Sequence, residues 1–228
     1  MSTAAVLSDF FTAALREARS ERPASLASRI PALDELTEGG FPVNALTELF
    51  IPHAGIGEVR MLLPALASLK HVTWVLPCDS EAAPYAPALA DAGLDLDRQL
   101  FSIPSTPEEA FASGETSAVV VWLNPLVHGK DGAALARLDM AAHSTGTTIF
   151  LIRPSSMACT PSPAELRLML RPGRSGTVHV RATRRGAFFD RTREADVSLE
   201  ERPLVPAPRA CRRKVQQALA SARLSPAC

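Results

Sequence analysis

The sequence predicts an α/β fold in which a parallel sheet core is flanked by helices and ends in antiparallel C-terminal strands. Two observations carry that expectation. Between residues 45 and 152, five short apolar runs of strand length alternate with segments suited to helices, the pattern of a sheet covered on its faces. After residue 153 the period becomes two. Leu166, Leu168 and Leu170 alternate with Arg167, Met169 and Arg171, and Val178 and Val180 alternate with His179 and Arg181, as half-buried strands require.

The chain opens with Val6, Leu7, Phe10, Phe11, Ala14, Leu15 and Ala18 at helical spacing, followed by a polar connector from Ser20 to Arg29. Residues 1–29 are therefore read as an N-terminal helix and linker. Gly39-Gly40-Phe41-Pro42 makes a turn into a first strand, Ala45 to Phe50. Further strands are expected over Val72 to Leu76, Leu100 to Ile103, Ala118 to Leu123 and Thr147 to Ile152. The helices between them are Glu58 to Leu69, Pro84 to Ala92, Pro107 to Ala112 and Gly132 to His143, with Gly93 and Gly146 as C-terminal stops. Pro64 lies inside the first of these and predicts a kink. Arg184-Arg185-Gly186, ahead of Phe188 and Phe189, reads as a hairpin tip. Residues 30–200 thus form the main domain. In 201–228, Pro203, Pro206 and Pro208 lead to a basic helix, Arg212 to Leu224.

With 228 residues, 46% of them apolar, wholesale disorder is excluded. No run approaches the roughly 18 apolar residues of a membrane helix, and the N-terminus lacks the pattern of a secretory leader, so a cytoplasmic location is expected. The 24 basic and 24 acidic residues cancel only in total: residues 1–150 hold 9 basic and 18 acidic, residues 151–228 hold 15 and 6. That split is a reason to consider an anionic partner for the C-terminal part, or attraction between the two parts inside the fold, beside the plain reading of a solvated basic face. Cys78, Cys159, Cys211 and Cys228 form no Cys-x-x-Cys pair and read as free thiols. No metal site or cofactor is expected.

The informative stretch is the first strand-to-helix junction, Glu48-Leu49-Phe50-Ile51-Pro52-His53-Ala54-Gly55-Ile56-Gly57-Glu58-Val59. A working phosphate loop needs glycines whose amides curl around phosphates, a lysine, and a hydroxyl for magnesium. Gly55 and Gly57 remain, but Ile51 stands where the first glycine is expected, Glu58 where the lysine belongs and Val59 where the hydroxyl should be. A unit charge pair at 4 Å is worth about 4 kcal/mol at an effective dielectric of 20, so exchanging attraction for repulsion moves the balance by about 8 kcal/mol per phosphate charge. The apolar strand that should end in a magnesium-orienting Asp has Trp122 at that place, with Asn124 two residues on. No Gly-x-Ser-x-Gly elbow or His-Glu-x-x-His is present, and the five histidines, at 53, 71, 128, 143 and 179, stand singly. Cys78-Asp79-Ser80 follows a strand end without an identifiable base. A catalytic role is not expected.

From Ile30 to about Phe189 the chain resembles the ImuA family, RecA-like accessory proteins of the bacterial damage-induced mutagenesis cassette. The resemblance rests on Gly40-Phe41-Pro42-Val43-Asn44-Ala45-Leu46-Thr47-Glu48-Leu49, on Gly55-Ile56-Gly57-Glu58-Val59-Arg60-Met61-Leu62-Leu63-Pro64-Ala65-Leu66-Ala67, on Pro84-Tyr85-Ala86-Pro87-Ala88-Leu89 with Ala92-Gly93-Leu94-Asp95-Leu96, and on the Arg-Arg-Gly hairpin near residue 186. RecA is similar in outline, with Ala32-Leu33-Asp34 before the glycine turn and Glu48 in the first strand, but this chain departs from it at each ATP-binding position named above. The resemblance implies a RecA-like domain without a functional phosphate loop. It also implies scaffold or regulatory work in translesion synthesis with ImuB, an inactive Y-family polymerase, ImuC, an error-prone polymerase, and RecA.

Candidate partner-binding residues are Phe10 and Phe11, which either dock onto a neighbour or cover the domain's own core, and Arg212, Arg213, Lys214, Val215 and Leu219 of the terminal helix. Candidate DNA-binding residues are Arg181, Arg184, Arg185 and Arg191, whose permanently charged forks suit phosphate. The competing reading pairs these arginines with the acidic part. In the alternative function, the chain is a SulA-like cell-division inhibitor that binds the tubulin-like division protein.

Overall fold

The computed structural model describes residues 24–76, 84–102, 116–122, 132–174, 176–185 and 190–199. Ten strands and four helices lie in these segments. Strands β1 (Ser25–Leu26) and β2 (Phe41–Pro42) form a small antiparallel pair around helix α1 (Pro31–Leu36). The main sheet contains β3 (Leu46–Ile51), β4 (Val72–Val75), β5 (Gln99–Ser102), β6 (Ala118–Trp122), β7 (Thr148–Pro154), β8 (Leu166–Pro172), β9 (Thr177–Arg184) and β10 (Arg191–Ser198). Its order is β10-β9-β8-β3-β7-β6-β4-β5. Strands β5 to β8 in that order are parallel through β3, whereas β9 and β10 add antiparallel to β8. The antiparallel additions expected near the C-terminus are β9 and β10; β8, the first strand after the change of period at residue 153, still pairs parallel with β3.

Alternation along the strands sorts side chains between two cores. On one face, Leu49 and Ile51 of β3, Phe150 and Ile152 of β7, and Leu166, Leu168 and Leu170 of β8 pack with Leu33 and Leu36 of α1, Met61, Leu62 and Leu66 of α2 (Glu58–Leu66) and Leu89 of α3 (Ala86–Asp91). On the other, Leu46, Val119, Val121, Ile149 and Leu151 pack with Leu135, Leu138 and Ala142 of α4 (Gly132–Thr145). Strand β3 is central and buried along its whole length. That is why its sequence is apolar on both parities except for Thr47 and Glu48.

Helix α2 ends three residues before the expected Leu69. The Ser68 and Leu69 amides bond three residues back, to Ala65 and Leu66, which tightens the last turn and ends the α-helix soon after Pro64. Gly93 and Gly146 follow α3 and α4 with φ of 89° and 68°, the left-handed stop expected of them. Strands β9 and β10 pair from Arg184↔Arg191 to Thr177↔Ser198, so the hairpin lies where the Arg-Arg-Gly tip was expected. The expected helices at 5–18, 107–112 and 212–224 lie outside the described residues, as do Phe188, Phe189, Cys78, Cys211 and Cys228. Cys159 is a free, exposed thiol. Among the described residues, no helix is long and apolar enough to cross a membrane.

Candidate functional site

The junction between β3 and α2 holds the stretch that reads in sequence as a degenerate phosphate loop. Ile51 is the last residue of β3 and lies in the core, 1% exposed, so it is not part of the loop. Pro52 stands six residues before Glu58, the separation of the first glycine and the lysine in a phosphate loop, and it takes the place expected of Ile51. Pro52, His53, Ala54 and Gly55 are exposed. Val59, in the hydroxyl position, packs against the core instead of facing a ligand.

Glu58 opens α2 and is only 2% exposed. Its side chain turns back onto its own loop: the Gly55 amide donates to Oε1 at 2.9 Å and the Gly57 amide donates to Oε2 at 3.1 Å. A helix N-terminus carries amides without intrahelical partners and a partial positive charge. The carboxylate takes the amide of the cap residue Gly57 and places its negative charge at that terminus. Gly57 caps the helix with φ of 105°, a left-handed conformation that other residues adopt at a cost. A Cβ there would fall 2.5 Å from Leu199 Cδ1 and 3.2 Å from Val178 Cγ2, so side chains from the antiparallel end of the sheet pack closely against Gly57.

Trp122 ends β6 opposite Ile152 of β7. Trp122, where the sequence reading expects an acidic residue in a phosphate-loop protein, is thus the last residue of its strand. Among the described residues no group of His, Cys, Asp and Glu could hold a metal ion.

A second charged cluster, not singled out from the sequence, lies on the opposite face of β3. Glu48 is fully buried and forms ion pairs with Arg153, through Nη1 and Oε1, and with Arg167, whose Nε lies 3.0 Å from Oε2. The register of the sheet brings them together, since β3 lies between β7 and β8 and Arg167 is directly opposite Glu48. Both guanidinium groups also lie over the Phe50 ring, at 5.9 and 4.9 Å from its centroid. The available signal was Glu48 itself, an acidic residue in a strand with no polar face.

The candidate DNA-binding arginines do not form one patch. Arg184 donates to the Thr37 carbonyl at 2.9 Å and faces Glu165 at 3.7 Å. Arg185 donates to the Ser162 and Pro163 carbonyls at 2.6 and 2.9 Å, and Arg167 donates to those of Ala158 and Thr160. Two arginines thus pin the loop between β7 and β8. Arg191 pairs with Glu38 at 3.0 Å, joined by Arg193 at 3.3 Å. Arg181 is exposed on the opposite side of the hairpin, beside Met169 and Glu194 in the register. Glu38 and Glu48 belong to the acidic first part of the chain and their partners to the basic second part, so part of the charge split is neutralised inside the domain. Phe10, Phe11, Arg212, Arg213, Lys214, Val215 and Leu219 lie outside the described residues.

No protein-family model matches the chain, and no curated protein sequence matches it.

Proposed function

We propose that this chain is a non-catalytic accessory protein of damage-induced translesion DNA synthesis. It acts in the cytoplasm through contacts with an inactive Y-family polymerase (ImuB), an error-prone polymerase (ImuC) and RecA. Its link to that process is the sequence resemblance; its non-catalytic character is supported by one observation above the others. The loop amides that would receive a nucleotide phosphate are bonded to the Glu58 carboxylate. A polyphosphate entering the loop would have to displace a buried anion tethered to the same helix and meet its charge at close range.

The same domain supports contact work. Its rigid sheet holds the loop, while the C-terminal hairpin carries arginines on either side. DNA is a further partner, held directly by Arg181 or through the assembled complex. The test is a binding assay between the full chain and the inactive polymerase, repeated with ATP and magnesium. The expected result is a complex whose affinity is the same with and without nucleotide. Calorimetric ATP binding, or absence of any complex, overturns the reading.

A further inference from the structure

We infer that Glu58 is the resident anion of the loop and takes over from nucleotide the task of ordering it, so that the domain holds a single, nucleotide-independent state. This rests on the reading of the loop as degenerate, and goes beyond it. A phosphate loop that has lost its lysine and hydroxyl could simply be a loop with nothing to do. Here two of its amides are directed at one carboxylate.

The two amides belong to Gly55 and Gly57, and the two carboxylate oxygens divide between them, one bond each. Both glycines keep positive φ, 89° and 105°, the left-handed backbone that lets successive amides converge on an anion. Glu58 is the first residue of a nine-residue helix, where a negative charge is favoured by the helix dipole. Val178 and Leu199, both buried, pack against Gly57, and the Leu199 amide is itself tied to the Gly176 carbonyl at 2.8 Å. The anion, the helix terminus and the apolar packing are thus built from three parts of one chain.

A tethered carboxylate cannot dissociate or be hydrolysed. Any surface that the loop shapes, beginning with exposed Pro52, His53 and Ala54, is present whether or not nucleotide is available. The protein therefore offers partners a constant face where a nucleotide-driven relative would offer two.

Thermal melting of the full chain tests this, using wild type, Glu58→Ala and Glu58→Gln in chloride and in inorganic pyrophosphate at matched ionic strength. Glu58→Ala is expected to melt about 3 to 10 °C lower in chloride and to regain much of that loss in pyrophosphate, which enters the vacated nest. Wild type is unmoved by the exchange of anion. Glu58→Gln, with one acceptor oxygen left, falls between the two, and supplies the measurement if the alanine variant fails to fold. Equal pyrophosphate stabilisation of wild type and variants overturns the inference, as does a Glu58→Ala melt that coincides with wild type. Those outcomes leave the accessory-protein reading standing, whereas ATP binding by wild type would sink that reading first.

Discussion

Glu48 and Glu58 stand ten positions apart on either side of the same strand-to-helix junction, both buried, and they are neutralised in opposite ways. Glu48 is held by two guanidinium groups from β7 and β8, more than one hundred residues away in sequence. Glu58 is held by backbone amides one and three residues away. The first arrangement depends on the whole sheet being assembled. The second depends only on a local loop that keeps its glycines. The comparison teaches that buried charge in this domain does two kinds of work: one cluster ties three strands together, the other ties the strand-to-helix loop to the start of its own helix.

The largest expected effect comes from breaking the first cluster. Glu48→Ala strands two guanidinium groups, of which Arg153 is almost fully buried, and should lower the unfolding free energy by about 3–5 kcal/mol in a urea melt. Replacing Glu48, Arg153 and Arg167 together by apolar residues of similar volume should return most of that loss, because no charge is then left unpaired. A triple variant as unstable as the single one would show that the cluster also positions backbone that apolar packing cannot.

The loop gives the next effect. Gly57→Ala should cost about 1–3 kcal/mol, from the left-handed backbone together with the clash against Leu199. Adding Leu199→Ala to Gly57→Ala should recover the steric part and leave the backbone part, a non-additive pair that a double-mutant cycle of urea melts would measure. Simple addition of the two losses would mean that Leu199 does not pack against Gly57.

The two regions also differ in how legible they are. The loop can be read from sequence because its residues are contiguous and the missing lysine and hydroxyl are defined against a fixed spacing. Even so, the sequence reading assigns the first glycine's place to Ile51, one residue away from the six-residue separation that points to Pro52, and the extent of β3 puts Ile51 in the core. That Glu58 bends back onto its own amides also depends on side-chain direction, which a motif does not encode. The strands were legible from apolar runs and from the period of two after residue 153. The Glu48 cluster was not, because the parallel neighbours of β3 are fixed by sheet order and not by nearness in the chain. The arginines of the hairpin read as one basic set by composition, and strand alternation sends Arg184 and Arg191 towards α1 but Arg181 to the opposite face.

Surface pairs provide a milder contrast with both buried glutamates. Arg191 and Arg193 converge on Glu38, yet each is about half exposed. Replacing either with alanine should change stability by less than about 1 kcal/mol, and the difference should shrink as salt is added. A loss comparable to that of Glu48→Ala would mean that the contact of α1 with β10 depends on these charges and not on the buried Leu33 and Leu36.

The smallest effect is expected at Glu165, a third acidic residue whose surroundings compensate it least. Burial raises its pKa above the usual 4.5 by removing water from the charged form; Arg184 and His143 oppose that shift, and Asp139 adds to it. The sign of the consequence follows from proton linkage. The folded chain keeps this proton at a pH where the unfolded chain has already released it, so the stability it contributes at low pH is lost as the pH rises from about 4.5 through the raised folded value. Glu165→Gln cannot titrate and keeps the shape of the side chain. Urea melts from acid to neutral pH should therefore show the variant gaining on wild type as the pH rises, with the gap closing again below 4.5. A gap of the opposite sign would show that attraction to Arg184 outweighs burial. Glu165 would then join Glu48 as a carboxylate held by guanidinium groups, in contrast to Glu58, which backbone amides satisfy.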